Sequence, residues 1–160
     1  MVKWNEIKAL NVFYSFFFLV LIFYVFYSIY WKITIPYNIV VYIKQGQTVN
    51  EIVNTLKNEN LIKSHFLFKV FLKLTGSDKK IQYGEYSFQG EISQLDIVEK
   101  IVSGNYYYRK LTIPECSSIK EILDIISNNI FLIGSISKVP AEGTIFPDTY
   151  FFQRNDDKNI

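Results

Sequence analysis

The chain contains one cysteine and one histidine in 160 residues. Cys116 therefore has no internal disulfide partner, and neither a Cys/His catalytic pair nor a Cys/His metal site is expected. Cys116 follows Glu115, with no neighbouring cation to favour a thiolate, and reads as a small packing residue. His65 opens a helical pattern and reads as an exposed first-turn residue. Arginine is almost missing, with two against fifteen lysines, and the formal charge is only +2. So balanced a charge, without a concentrated basic face, speaks against a nucleic-acid partner. No cofactor is expected.

Charge is absent altogether between Ala9 and Trp31. About 20 apolar residues at about 1.5 Å each cross a bilayer core. A cleaved signal peptide has a shorter apolar region followed by small residues, whereas this run ends in bulky Ile29, Tyr30, Trp31 and Lys32. A buried globular helix has no use for apolar residues on every face in so small a chain. Residues 10–31 thus read as an uncleaved signal anchor. Lys3 and Lys8 precede it against one acid, Glu6, and only Lys32 follows closely. That bias places residues 1–9 in the cytoplasm and the rest outside the inner membrane, with Tyr27, Tyr30 and Trp31 at the outer interface.

The remainder holds an internal repeat. Offset by 70 positions, residues 41–56 lie over residues 111–126. Each copy reads as a strand, a turn and an amphipathic helix. Thr48 with Glu51, and Ser118 with Glu121, have capping-box spacing. Apolar residues follow at helical spacing: Val49, Ile52, Val53 and Leu56 in one copy, Ile119, Ile122, Leu123 and Ile126 in the other. Gly46 suits a turn with positive φ; Cys116 takes its place in the second copy, where an ordinary conformation is expected.

Between the copies, Ser64 caps a predicted helix through Phe66, Leu67, Val70, Phe71 and Leu74, closed by Gly76. Residues 81–88 alternate as a half-buried strand, in which Glu85 is expected to be exposed. Ser93 opens a helix ending at Ser103–Gly104, and residues 105–113 read as a strand. The fold class is α+β, with helices on a small sheet. Residues 38–90 form a β-α-α-β unit, and residues 91–160 begin a second, partial α+β unit. Tyr106, Tyr107 and Tyr108 are candidates for a sugar-stacking platform, or else straddle a sheet with alternate rings packed inside. Residues Glu142, Gly143, Phe146, Pro147, Asp148, Thr149 and Tyr150 lie in a turn-forming run interrupted by aromatics, the composition of a loop at a working cleft. Glu142 and Asp148 read as turn-forming residues or as substrate contacts.

These pieces, in this order, resemble the N-terminal part of the membrane-anchored endolytic murein transglycosylases, the YceG-like family. The resemblance rests on the anchor, Ile43-Lys-Gln-Gly-Gln-Thr48, Asn60-Leu-Ile-Lys-Ser64, Tyr83-Gly-Glu-Tyr-Ser-Phe88, Ile101-Val-Ser-Gly104, Leu111-Thr-Ile-Pro-Glu115 and Glu142-Gly-Thr-Ile-Phe-Pro-Asp-Thr-Tyr150. It implies that the β-α-α-β unit is LysM-like, a fold associated with glycan binding. It also implies that the Glu142–Tyr150 motif lies near the active cleft. The family's catalytic Glu follows that motif, so no residue of this chain inherits the role, and a chain ending at Ile160 is expected to be inactive alone. The implied partners are peptidoglycan glycan strands, the inner membrane, and cell-wall synthesis or division proteins. A non-catalytic, membrane-anchored wall-binding module is the alternative. The pyridoxal-phosphate aminodeoxychorismate lyase label sometimes attached to such sequences conflicts with the anchor.

Overall fold

The computed structural model describes residues 4–159; Lys3, one of the charges used to orient the chain, lies outside them. Helix α1 runs Trp4–Tyr30. Its stretch Asn11–Tyr30 is 20 residues long and apolar enough to cross a membrane. From Asn11 onward its described side chains are exposed until Ser28, which is half-buried, and Ile29, which is buried.

Strand β1 (Ile33–Ile43) follows almost at once. Then come α2 (Val49–Asn58), α3 (His65–Leu74), a 3-10 turn (Ser77–Lys79), β2 (Gly84–Ile92) and α4 (Gln94–Ser103). β1 and β2 pair antiparallel, from Ile33 with Ile92 to Ile43 with Gly84. The first strand starts earlier than residue 41 and the second starts and ends later than residues 81–88. The ladder breaks its register between Ile35 and Ile39, around Pro36, which has no amide hydrogen to give to a partner. Extended residues at about 3.3 Å each make this ladder a spacer roughly 30 Å long.

The helices form because local side chains complete their ends. Thr48 and Glu51, Ser93 and Asp96, and Ser118 and Glu121 all close capping boxes, and Ser64 accepts from the Leu67 amide. The carboxyls of Glu51, Asp96 and Glu121 fall below their ordinary range, first because the cap amide donates to each and then because the cap hydroxyl does. The principal core lies between the β1–β2 sheet and α2–α4: Val41, Ile43, Tyr86 and Phe88 face Val53, Leu56, Phe68, Leu72 and Ile97. Inside it the Tyr86 hydroxyl donates to the Gln82 carbonyl at 2.9 Å, and burial raises its pKa.

The second unit is thinner. β3 (Arg109–Thr112) and β4 (Thr149–Phe152) pair antiparallel, with Leu111 opposite Tyr150, and α5 (Ile119–Ser127) lies between them in sequence. Residues 105–108 are not strand, so the expected strand over 105–113 shrinks to its last part. β4 forms within the run expected to be loop. The repeat holds in backbone but not in burial. α2 buries Ile52, Val53 and Leu56, whereas α5 buries only Ile122.

The turn of the second copy departs from expectation. Cys116 adopts φ 62°, reproducing the left-handed turn of Gly46 at φ 82°. Its thiol is exposed rather than packed. The backbone of the repeat is retained at a position where a side chain makes it strained.

Candidate functional site

The Glu142–Tyr150 loop is tied down at both ends. The Glu142 carboxylate accepts from the Ile119 amide at 3.1 and 3.2 Å, at the first turn of α5. A negative group there meets the unpaired amides of the helix start. Glu142 is therefore an inter-segment helix cap, not merely the residue before the Gly143 bend. At the other end the Tyr150 hydroxyl donates to the Phe146 carbonyl at 2.9 Å. The Asp148 carbonyl accepts from the Ile113 amide at 2.9 Å, and its side chain accepts from the Thr149 amide at 2.6 Å. Thr149 and Thr112 hydroxyls meet at 3.1 Å across the β3–β4 pair. Gly143 takes a positive φ in the bend. Pro147 is exposed, and Phe146 projects into solvent at 73% exposure.

Behind this loop lies a cavity of about 310 Å³, lined chiefly by Leu111, Ile113, Ile126, Leu132, Ile145 and Tyr150. Half-buried Ile126 brings the end of the apolar stripe of α5 to its wall. Of the motif residues named from the sequence, Tyr150 reaches it; Glu142, Phe146 and Asp148 do not. Asp157 and Lys158 bring charge to its rim. The Asp157 carboxyl is held below the usual range by hydrogen bonds from the Asn159 amide and side chain, an environment opposite to that of a proton donor.

The three tyrosines do not make a platform. Tyr106 packs against the principal core, with its ring 5.6 Å from that of Tyr86 and its hydroxyl donating to Gln82 Oε1 at 2.6 Å. The Tyr107 amide donates to the Glu85 carbonyl at 2.7 Å. Only Tyr108 is exposed, and Gln153 donates to its hydroxyl at 3.2 Å.

Glu85 is the residue the sequence reading misplaced. It is buried at 3% exposure, not solvated. On β2, Tyr86 and Phe88 face the helices, so period-two geometry turns Glu85 to the opposite face, which the second unit covers. Arg109 holds it through Nε at 2.7 Å and Nη2 at 2.9 Å, and Arg154 adds Nη1 at 3.0 Å. Burial pushes the Glu85 carboxyl up, and the hydrogen bonds and charges of both guanidinium groups more than reverse this, leaving it below the ordinary range. The guanidinium of Arg109 stacks 3.3 Å from the Phe131 ring centre, and that of Arg154 lies 4.6 Å from Tyr42. Both arginines of the chain thus converge on one carboxylate. Their scarcity was the signal available in the sequence, since a fork of fixed geometry suits a buried carboxylate better than lysine.

Among the described residues, no three of His, Cys, Asp and Glu gather as metal ligands would. His65 is the first residue of α3 and half-buried. The model of the YceG-like family matches residues 41–160. Among solved structures, the chain is similar to a yceG-like protein from Listeria monocytogenes, at 20% identity and a TM-score of 0.41, covering 72% of this chain. The chain spans 48% of the length of that protein. No curated protein matches it.

Proposed function

The chain belongs to the YceG-like family, and from that premise we propose that it forms the membrane-held, glycan-binding part of an endolytic murein transglycosylase. The family match over residues 41–160, directly behind an apolar helix of membrane-spanning length, carries this reading. In it, α1 anchors the chain in the inner membrane with its N-terminus in the cytoplasm. The β1-α2-α3-β2 unit is LysM-like and binds nascent glycan strands. The Glu142–Tyr150 loop and the apolar hollow behind it form one wall of the cleft.

The full reaction would cleave the bond from N-acetylmuramic acid to N-acetylglucosamine without water. A carboxylic acid protonates the leaving oxygen. The resulting carboxylate takes the proton of the muramoyl 6-hydroxyl, whose oxygen closes a 1,6-anhydro ring on its own anomeric carbon. One residue acts in both directions, so its pKa must be raised by a partly apolar site. Three acids of this region are committed elsewhere. Glu142 caps α5, Glu85 is paired with two arginines, and Asp157 is held ionised. We therefore assign residues 33–160 to holding substrate rather than cleaving it.

The test uses the full chain in detergent, mixed with purified peptidoglycan. Co-sedimentation without new anhydro ends is the expected result. Failure to sediment would remove the glycan-binding role, and anhydro products would show that cleavage resides in this chain.

A further inference from the structure

The corner between α2 and α3 has a composition unlike the rest of the molecule. Residues 57–80 carry six lysines against Glu59 and Asp78, a net of four positive charges, so the remainder of a +2 chain nets two negative ones. Phe66, on the first turn of α3, is 71% exposed in a helix whose apolar residues otherwise turn inward, apart from Leu74 at its end. Phe66, Lys69 and Lys73 recur at i, i+3 and i+7 and share one stripe of α3.

This corner sits beside the end of α1. Trp31, the first residue past the helix, packs against Tyr27 with ring centres 5.0 Å apart and planes tilted by 48°. The Lys63 ammonium lies over the Trp31 ring, 4.9 Å from its centre. Lys57 Nζ donates to the Lys63 carbonyl and pins α2 to the same point. Gln94, at the start of α4, donates to the Ser28 carbonyl at 3.1 Å, in the last turn of α1. Two residues separate α1 from β1. The folded domain is therefore docked on the end of the helix rather than hanging from a tether. A tryptophan at a helix end sits at headgroup level. Phe66 opens the first turn of α3 three residues after Lys63, which keeps it within about 11 Å of that lysine along the chain.

We propose that the α2–α3 corner is a second membrane contact, in which Phe66 enters the interface while Lys63 and Lys69 engage the phosphates of anionic phospholipids. The inference rests on the reading of α1 as a membrane span. Its occupant follows from the chemistry: an isolated aromatic among lysines, beside a bilayer exit, matches an acidic headgroup layer over an apolar interior. The contact would fix the tilt of the domain, and with it the height of the β1–β2 spacer above the bilayer.

The test places the full chain in nanodiscs of phosphatidylcholine, with or without phosphatidylglycerol, carrying photoreactive benzoylphenylalanine in place of Phe66. A second protein carries it in place of Tyr83, which is exposed but lies beside the far end of the ladder. Carbonate extraction reports separately whether α1 is inserted, so failure of the anchor is distinguishable from failure of the corner. Lipid adducts should form at position 66, increase with phosphatidylglycerol, and be scarce at position 83. Lys63→Glu with Lys69→Glu should lower the yield at 66 by at least about fivefold, the weight of one surface lysine. Equal yields at 66 and 83, or no response to lipid charge with α1 inserted, would overturn the proposal. So would a glycan adduct at 66 when wall fragments are supplied, which would assign the corner to the wall.

Discussion

Arg109 holds Glu85 with two nitrogens of one guanidinium, at 2.7 and 2.9 Å, across the junction of the two sheets. Arg154 completes the node from beyond β4. The carboxylate belongs to the first unit and both cations to the second, so the node orients the second unit on the β1–β2 ladder. Removing the carboxylate leaves two guanidinium groups facing one another in a partly dry space. Glu85→Ala should cost about 2–3 kcal/mol, at the low end for a buried pair because Arg154 is 35% exposed. Arg109→Lys should recover little, since an ammonium cannot reproduce the two-point grip or the stacking on Phe131. Urea denaturation of the full chain in micelles measures both; wild-type stability in Glu85→Ala would mean the node has no structural role.

The same carboxyl predicts an acid limit. Its folded pKa lies below its ordinary value, so its contribution is present in full above about pH 4.3, the unfolded value. It is lost as pH falls from there through the folded pKa. Asp96, Asp157, Glu51 and Glu121 shift in the same direction, so the wild-type curve alone cannot isolate Glu85. Between about pH 5 and 3, the stability difference between wild type and Glu85→Gln should shrink as the pH falls. A difference constant with pH would show that the Glu85 charge adds nothing.

The contrast between Glu85 and the helix caps explains what was legible in the sequence. Thr48 with Glu51 and Ser118 with Glu121 complete each other within four residues, so spacing alone reveals them. Ser93 with Asp96 uses the same geometry with a shorter acid, so spacing alone reveals only a helix start there. Glu85 meets partners 24 and 69 positions away, and alternation along β2 says which face it occupies but not what covers that face. Tyr106, Tyr107 and Tyr108 read as strand because aromatics favour strands, but anchoring to Gln82 and Glu85 keeps residues 105–108 out of a ladder. The motif loop was recognisable from its turn residues. Its attachment to α5 through Glu142 was not, because a carboxylate 23 residues away has no sequence signature as a cap.

Cys116 offers a direct measure of backbone strain. Gly46 and Cys116 occupy the same place in the two copies, both with positive φ. Cys116→Gly should stabilise the chain by about 0.5–1 kcal/mol, the left-handed penalty less the added freedom of the unfolded chain. Gly46→Ala should destabilise by about 1 kcal/mol although its Cβ would meet nothing within 4 Å. Paired melting curves check this. Loss of stability in Cys116→Gly would mean the thiol makes a contact worth more than the strain.

Gly84 makes a different demand. A Cβ there would lie 2.6 Å from the Tyr106 ring, at a φ of 149°. Gly84→Ala should displace Tyr106, break its hydrogen bond to Gln82, and disturb Glu85 one residue on. A loss of about 2–3 kcal/mol follows from overpacking and strain together. Gly84→Ala with Tyr106→Ala should recover part of it, because the clash is gone. Were the double variant no more stable than the sum of the single effects predicts, the ring contact would not be the cause.

Glu142 separates structure from chemistry at the motif loop. If its task is to cap α5, Glu142→Gln should keep most of the fold, since the amide oxygen still accepts from Ile119, and should lose less than about 1 kcal/mol of charge–dipole stabilisation. Glu142→Ala should free the loop, seen as faster proteolysis across residues 134–148 and faster exchange of the Ile119 amide. Glycan sedimentation should follow the loop, weakened in Glu142→Ala and nearly intact in Glu142→Gln. If instead Glu142→Gln abolished glycan binding while Ile119 exchange stayed slow, the carboxylate would be contacting sugar directly, and the capping role would be secondary.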